Sequence, residues 1–154
     1  MPVLIHHQYI HAPVEICFNM ARNVDVHTET TKKSLESAIS GVTSGIMGLG
    51  DQVTWRAKHL GVWQSLTAQI TELNEPWNFT DQMLEGAFHS FTHTHRFQNT
   101  QSGGTIMTDV FEYEAPFGWI GKLADVLFLK RYMRRLLMER AEALAEIALR
   151  RQLE

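Results

Sequence analysis

The residues best suited to chemistry in this chain are histidines and carboxylates set at strand spacing. Between His89 and Gln98, Phe91, His93, His95 and Phe97 alternate with Ser90, Thr92, Thr94 and Arg96. Successive side chains of a strand point to opposite faces, so the first set shares one face. That face carries the aromatic rings and is expected inward, where His93 and His95 each need a polar partner. Asp109 lies in the next strand, across a turn at 99–104, and a symmetric hairpin sets it opposite or diagonal to His93 or His95. Asp81, alternating with Phe79 and Met83 on the preceding strand, is a second candidate.

A His–Asp set of this kind serves one of three ends. It can be a buried hydrogen-bond network that fixes the sheet. It can hold the polar head of an otherwise apolar ligand. It can run acid–base catalysis, His93 or His95 carrying the proton and Asp109 setting tautomer and pKa. A His-x-His pair on one face can also chelate zinc with Asp81 or Asp109, but spacing fixes no third ligand, and neither a metal nor a cofactor is expected. No Gly-x-Ser-x-Gly elbow or Cys–His pair is present. The glycines at 41, 45, 48 and 50 lack the order and the following Lys-Ser/Thr of a phosphate loop and read as bends in a curved sheet.

These residues sit among strand signals. Residues 3–11 read as a first strand, 13–22 as a short helix opened by Pro13, and 29–38 as a second short helix capped by Thr28 or Thr30. Six strands then follow at 42–47, 52–59, 63–73, 78–85, 89–98 and 105–115, joined by turns too short for anything but antiparallel neighbours. In the segment 118–151, Met133, Leu137, Ala141, Leu144 and Ala148 form a helical stripe, predicting one long helix that covers the sheet and bends near Lys130. Its first part, Trp119–Leu129, is apolar almost all round and is expected to be wrapped most fully. The fold class is α+β, in one domain over 1–154.

This order and several local sequences resemble the START/SRPBCC superfamily of polyketide cyclases/dehydrases and lipid-transport proteins, in particular its small stand-alone bacterial branch. The resembling stretches are Ala12-Pro13, Gly48 through Trp55, Pro76 with Phe79-Thr80-Asp81, His93 through Phe97, Thr108-Asp109 and Pro116-Phe117-Gly118. The resemblance implies a helix-grip fold: a curved antiparallel sheet of about seven strands around a long C-terminal helix, with a cavity between them for an apolar ligand. It also places His27 at the cavity mouth. Candidate lining residues are Trp55, Phe79, Asp81, Met83, Phe91, Met107, Phe111, Leu123, Leu127 and Met133. The expected function is binding of a small hydrophobic molecule such as a lipid, isoprenoid or polyketide-like compound. The alternatives are a cyclase/dehydratase using the His–Asp pair and a ligand-free interaction module.

Composition narrows the partners. With 44% hydrophobic and 20% charged residues the chain is an ordinary globular mix. Residues 1–117 carry 6 Lys/Arg against 12 Asp/Glu, whereas 118–154 carry 8 against 5. Lys130, Arg131, Arg134 and Arg135 concentrate that basic charge. They read as a solvated helix face or as a weak contact with an anionic membrane surface. Without interleaved aromatics they do not suggest nucleic acid. Cys17 falls at helical spacing with Val14, Phe18 and Ala21 and reads as a buried apolar residue. No run is long enough to span a bilayer and no secretory signal is visible, so a cytoplasmic location is expected. Oligomeric state is not legible.

Overall fold

The computed structural model describes residues 2–153; the ends of the expected domain, Met1 and Glu154, lie outside them. The elements are β1 (Val3–Ile10), α1 (Val14–Ala21), α2 (Val24–Thr30), a 3-10 turn (Lys32–Ser34), β2 (Ser37–Gly41), β3 (Gln52–His59), β4 (Val62–Asn74), β5 (Asn78–Glu85), β6 (Ser90–Asn99), β7 (Thr105–Glu114), α3 (Gly118–Ala124), a π-helical turn (Asp125–Leu129) and α4 (Lys130–Leu153). The strands form one antiparallel sheet in the order β1-β7-β6-β5-β4-β3-β2. Hairpins join each consecutive pair from β2 to β7, while β1 returns to the far edge and pairs with β7 (Leu4 opposite Phe111, Ile10 opposite Thr105).

Alternation decides which face is covered. Val53, Trp55 and Ala57 of β3, Ala68 and Ile70 of β4, and Phe91, His93, His95 and Phe97 of β6 are all buried. On α4 the buried stripe is Leu137, Ala141, Leu144, Ile147 and Ala148, which seals against the sheet and α1. α1 drops Phe18 onto the same face, edge-on to Phe79 at 5.6 Å and to Phe97 at 5.4 Å. The inner face is thus divided, one part packed solid under α1 and the other left to face α4 across a gap.

Two elements depart from expectation. The second helix runs from Val24, not from residue 29, because Asn23 caps it: its side-chain oxygen accepts from the N–H groups of Asp25 (2.9 Å) and Val26 (3.1 Å). Thr28 and Thr30 instead donate to the carbonyls of Val24 and His27 inside that helix. The first strand after it is Ser37–Gly41 rather than 42–47. Gly41 turns at φ +76, with a would-be Cβ only 2.2 Å from the Gln52 carbonyl oxygen. The chain then leaves the sheet and braces α2, Val24 N–H donating to the Gly45 carbonyl at 2.8 Å and Met47 N–H to that of Arg22 at 3.0 Å.

The C-terminal helix is interrupted just before Lys130, where the π-helical turn Asp125–Leu129 joins α3 to α4. The expectation that Trp119–Leu129 is enclosed is corrected by the structure. Trp119 is 74% exposed, Val126 80% and Leu127 68%, and of residues 118–129 only Gly121 and Asp125 are buried. Asp125 accepts a hydrogen bond from the Tyr113 hydroxyl, tethering the turn to β7. Gly121 packs so closely that a Cβ would fall 1.6 Å from the Pro116 carbonyl oxygen. Gly121→Ala must therefore push α3 away from the Pro116 turn. The expected cost is about 1–3 kcal/mol, read by urea unfolding, with faster hydrogen exchange confined to 116–129. Unchanged exchange there would contradict the contact.

Candidate functional site

Strand register assembles the site. Asp81 on β5 lies opposite His93, and Asp109 on β7 lies opposite His95. The side chains then link in a chain. Asp81 Oδ1 is 3.1 Å from His95 Nε2, Asp109 Oδ1 is 3.0 Å from His95 Nδ1, and His93 Nε2 is 2.9 Å from the same Asp109 oxygen. Phe79 stacks on His95 at 4.2 Å, Phe111 meets His93 edge-on at 5.3 Å, and the two imidazoles lie 3.8 Å apart. These rings exclude water and strengthen each polar contact.

The charges sort accordingly. Burial pushes Asp109 upward, but its bonds to His93 and His95 and their charges outweigh this and hold it far below the carboxylate range. Burial likewise opposes ionisation of Asp81, and the His95 bond with the nearby histidine charges brings it below its ordinary value. Burial lowers His95, yet Asp109 and Asp81 outweigh it and raise it from its ordinary value. With an accepting carboxylate oxygen 3.0 Å from Nδ1 and 3.1 Å from Nε2, both ring nitrogens donate and the ring is an imidazolium between two carboxylates. His93 is driven down to about 4, first by burial and then by the His95 charge, despite Asp109. It is therefore neutral. An ionised carboxylate only accepts, so Nε2–H of His93 donates to Asp109 and the Nδ1 lone pair remains.

His93 and Asp81 form part of the wall of a cavity of about 590 Å³ between the sheet and the C-terminal helices. A second polar group completes that end: His27 of α2 lies tilted over Trp55, ring centres 4.2 Å apart, and donates to Glu36 at 2.7 Å, with Arg140 of α4 beside them. His27 is lowered by burial and by the Arg140 charge. Glu36 is raised by burial but brought down on balance by His27 and Arg140. Among the described residues no carboxylate lies within ion-pair distance of Arg140. Most of the rest of the wall is apolar, with Ala57, Leu66, Ala68, Phe88, Phe91, Phe111, Met133 and Leu137. Phe117, Ile120 and Phe128 line the cavity and are also exposed, so they mark its mouth. His59 and Tyr132, sharing a 2.9 Å hydrogen bond, lie on the wall as well.

Of the residues singled out in the sequence, His27, Trp55, Asp81, Phe91, His93, Phe111 and Met133 line this cavity. His95 and Asp109 stand behind His93, buried and outside the lining. Five others lie elsewhere, which corrects the expectation that they line the wall. Phe79 and Met107 belong to the core under α1. Met83 packs, half-buried, against the apolar cluster of Leu4, Ala68, Phe91, Phe111, Tyr113 and Leu137. Leu123 and Leu127 are exposed on the outer side of the segment whose Ile120 and Phe128 line the mouth. Nothing in the sequence singles out Glu36, which falls where a helix is expected, or Arg140, one charge among many on α4. Phe88 carries no signal either, because it sits between two strands.

No protein-family model and no curated protein matches this chain. Among solved structures, TTHA0849 from Thermus thermophilus is similar at a TM-score of 0.79 with 19% identity, covering 96% of this chain and 97% of that one. CV1439 from Chromobacterium violaceum is similar at 0.72 and 10% identity, again over 96% and 97%. Ginseng major latex-like protein 151 from Panax ginseng is similar at 0.67 and 16% identity, with the same coverage. At these identities the likeness defines the fold alone: the chain has a helix-grip fold, α+β, with a curved seven-stranded antiparallel sheet around a long C-terminal helix. Among the described residues no helix is long and apolar enough to cross a membrane.

Proposed function

We propose that this chain, folded as a single domain, is a carrier or sensor that binds a small hydrophobic molecule non-covalently, of the lipid, isoprenoid or polyketide-like class. The observation that carries the reading is the cavity itself: about 590 Å³, apolar over most of its wall and polar at one end. Such a division suits an amphipathic ligand whose body is buried and whose head meets Asp81, His93, Arg140 and the His27–Glu36 pair. A body burying about 300 Å² of apolar surface gains on the order of 7 kcal/mol before the costs of association.

Cavity filling tests this. Ala57 is buried on β3 and forms part of the wall. Ala57→Phe is expected to weaken binding of an apolar fluorescent probe such as anilinonaphthalene sulfonate at least tenfold with the fold retained by circular dichroism. Equal probe affinity in the two proteins would place the probe elsewhere and remove this support.

Acid–base catalysis of a cyclase or dehydratase type is the second reading, favoured by one feature, the open Nδ1 of neutral His93 beside the cavity. A general base works best with a pKa near the operating pH. At about 4, His93 is a weak base at neutrality, and binding is the stronger reading. His93→Ala separates them: a carrier shifts in affinity, whereas an enzyme loses turnover.

The mouth carries a further part of the proposal. Phe117, Trp119, Ile120, Leu123, Val126 and Leu127 are exposed, and Lys122, Lys130, Arg131, Arg134 and Arg135 lie nearby in sequence. An apolar tip with a basic surround suits weak docking to an anionic lipid surface, each basic residue near the surface adding about 1 kcal/mol. Cosedimentation with phosphatidylcholine vesicles is expected to rise when phosphatidylserine is added, fall with salt, and disappear in Leu127→Glu. Absence of binding at low salt would reject it.

A further inference from the structure

We propose that Asp81, His93 and His95 form a binding site for one divalent transition-metal ion, of the Zn²⁺ or Fe²⁺ class, opening into the cavity. One ligating atom from each residue falls within 4.8 Å of the other two. His95 Nε2 and Asp81 Oδ1 are 3.1 Å apart, near the separation of two atoms that each lie about 2.0–2.2 Å from one zinc ion.

The surroundings are those of a metal site. Ligating histidines ordinarily donate their other ring N–H to a carboxylate, which fixes ring and tautomer. Here a single oxygen of Asp109 serves both, 2.9 Å from His93 Nε2 and 3.0 Å from His95 Nδ1. With those two nitrogens taken, Nδ1 of His93 and Nε2 of His95 are the ones left to ligate. Register sets all three ligands on adjacent strands, Asp81 on β5 opposite His93 on β6. Two imidazoles and one carboxylate, with remaining positions facing a cavity, suit zinc or non-haem iron. On loading, the ion replaces the proton shared between His95 and Asp81, and that proton leaves to water. The proposal goes beyond ligand carriage and does not depend on it, because the ion is read without any organic molecule present.

The test is titration of chelator-stripped, full-length protein with Zn²⁺ alone, followed by calorimetry and by NMR of the imidazole rings. One equivalent is expected to bind and to shift the ring signals of His93 and His95. Asp81→Asn should weaken binding at least tenfold, and Asp109→Asn by roughly 10–100-fold. His7→Ala should leave it unchanged, because His7 is exposed on β1, where it bonds the Thr108 hydroxyl at 2.8 Å. Shifts confined to other histidines, or full affinity in Asp81→Asn, would overturn the proposal. The ring signals of the unaltered protein decide the matter even where a variant fails to fold.

Discussion

Asp109→Ala is expected to lose on the order of 3–5 kcal/mol of stability, roughly 10 °C or more in Tm. Asp109 is buried and is the one carboxylate bonded to both inward histidines, at 2.9 and 3.0 Å. Without it, His95 keeps Asp81, but His93 has its Nε2–H against Phe111 and the cavity wall with no acceptor. Leaving a buried donor unpaired costs about 1–3 kcal/mol. The larger figure follows because His95 also loses one of the two anions that hold it charged. Asp109→Asn, which keeps an acceptor oxygen, should lose less. Glu112→Ala, on the same strand but exposed, should stay within about 0.5 kcal/mol. Urea unfolding followed by circular dichroism measures all three. A loss under about 1 kcal/mol for Asp109→Ala would mean that the His–Asp chain is not formed in solution.

Acid should weaken the protein well before its carboxylates are protonated. His93 has a folded pKa of about 4 against an ordinary 6.5. Between those values the unfolded chain takes up a proton that the folded chain refuses, so stability falls as pH drops from about 6.5 toward 4. For His93 alone the loss at pH 4.5 is on the order of 2–3 kcal/mol. His27 and His59 are lowered too, mainly by burial, and act in the same direction. His95 is raised and acts in the opposite sense: its contribution is complete below 6.5 and is lost as pH climbs through its folded value. Asp81, Asp109 and Glu36, all lowered, contribute above the ordinary carboxylate range and fail below about 4. Greatest stability is therefore expected near neutrality. Unfolding at pH 7 and 4.5, paired with NMR titration of the His93 ring, checks this. Equal stability at the two pH values, or a His93 midpoint near 6.5, would contradict the burial and pairing described.

The strands could be read because their alternation is strong and their turns are short. Val53, Trp55 and Ala57 against Gln52, Thr54 and Arg56 leave one way to bury β3. The sequence misplaces α2 because Thr28 and Thr30 look like caps, while Asn23 follows a helix end and offers no such contrast. The division of the sheet's inner face was beyond reach. Phe79 and Phe111 occupy equivalent inward positions, and only the three-dimensional placement of Phe18 assigns one to the core and leaves the other at the cavity. Trp119–Leu129 shows a deeper limit. An apolar run predicts burial, yet periodicity does not distinguish burial against the sheet from exposure at a mouth. Glu36 and Arg140 were invisible for another reason: a single charge gains meaning only from what lies opposite.

The most direct test of the cavity reading is native mass spectrometry of the purified protein, followed by solvent extraction and identification of whatever it carries. A stoichiometric apolar or amphipathic passenger is expected, or a thermal shift with members of a lipid and polyketide panel, either of them lost in Ala57→Phe. No passenger, together with no shift across the whole panel, would contradict ligand binding as the function of the cavity.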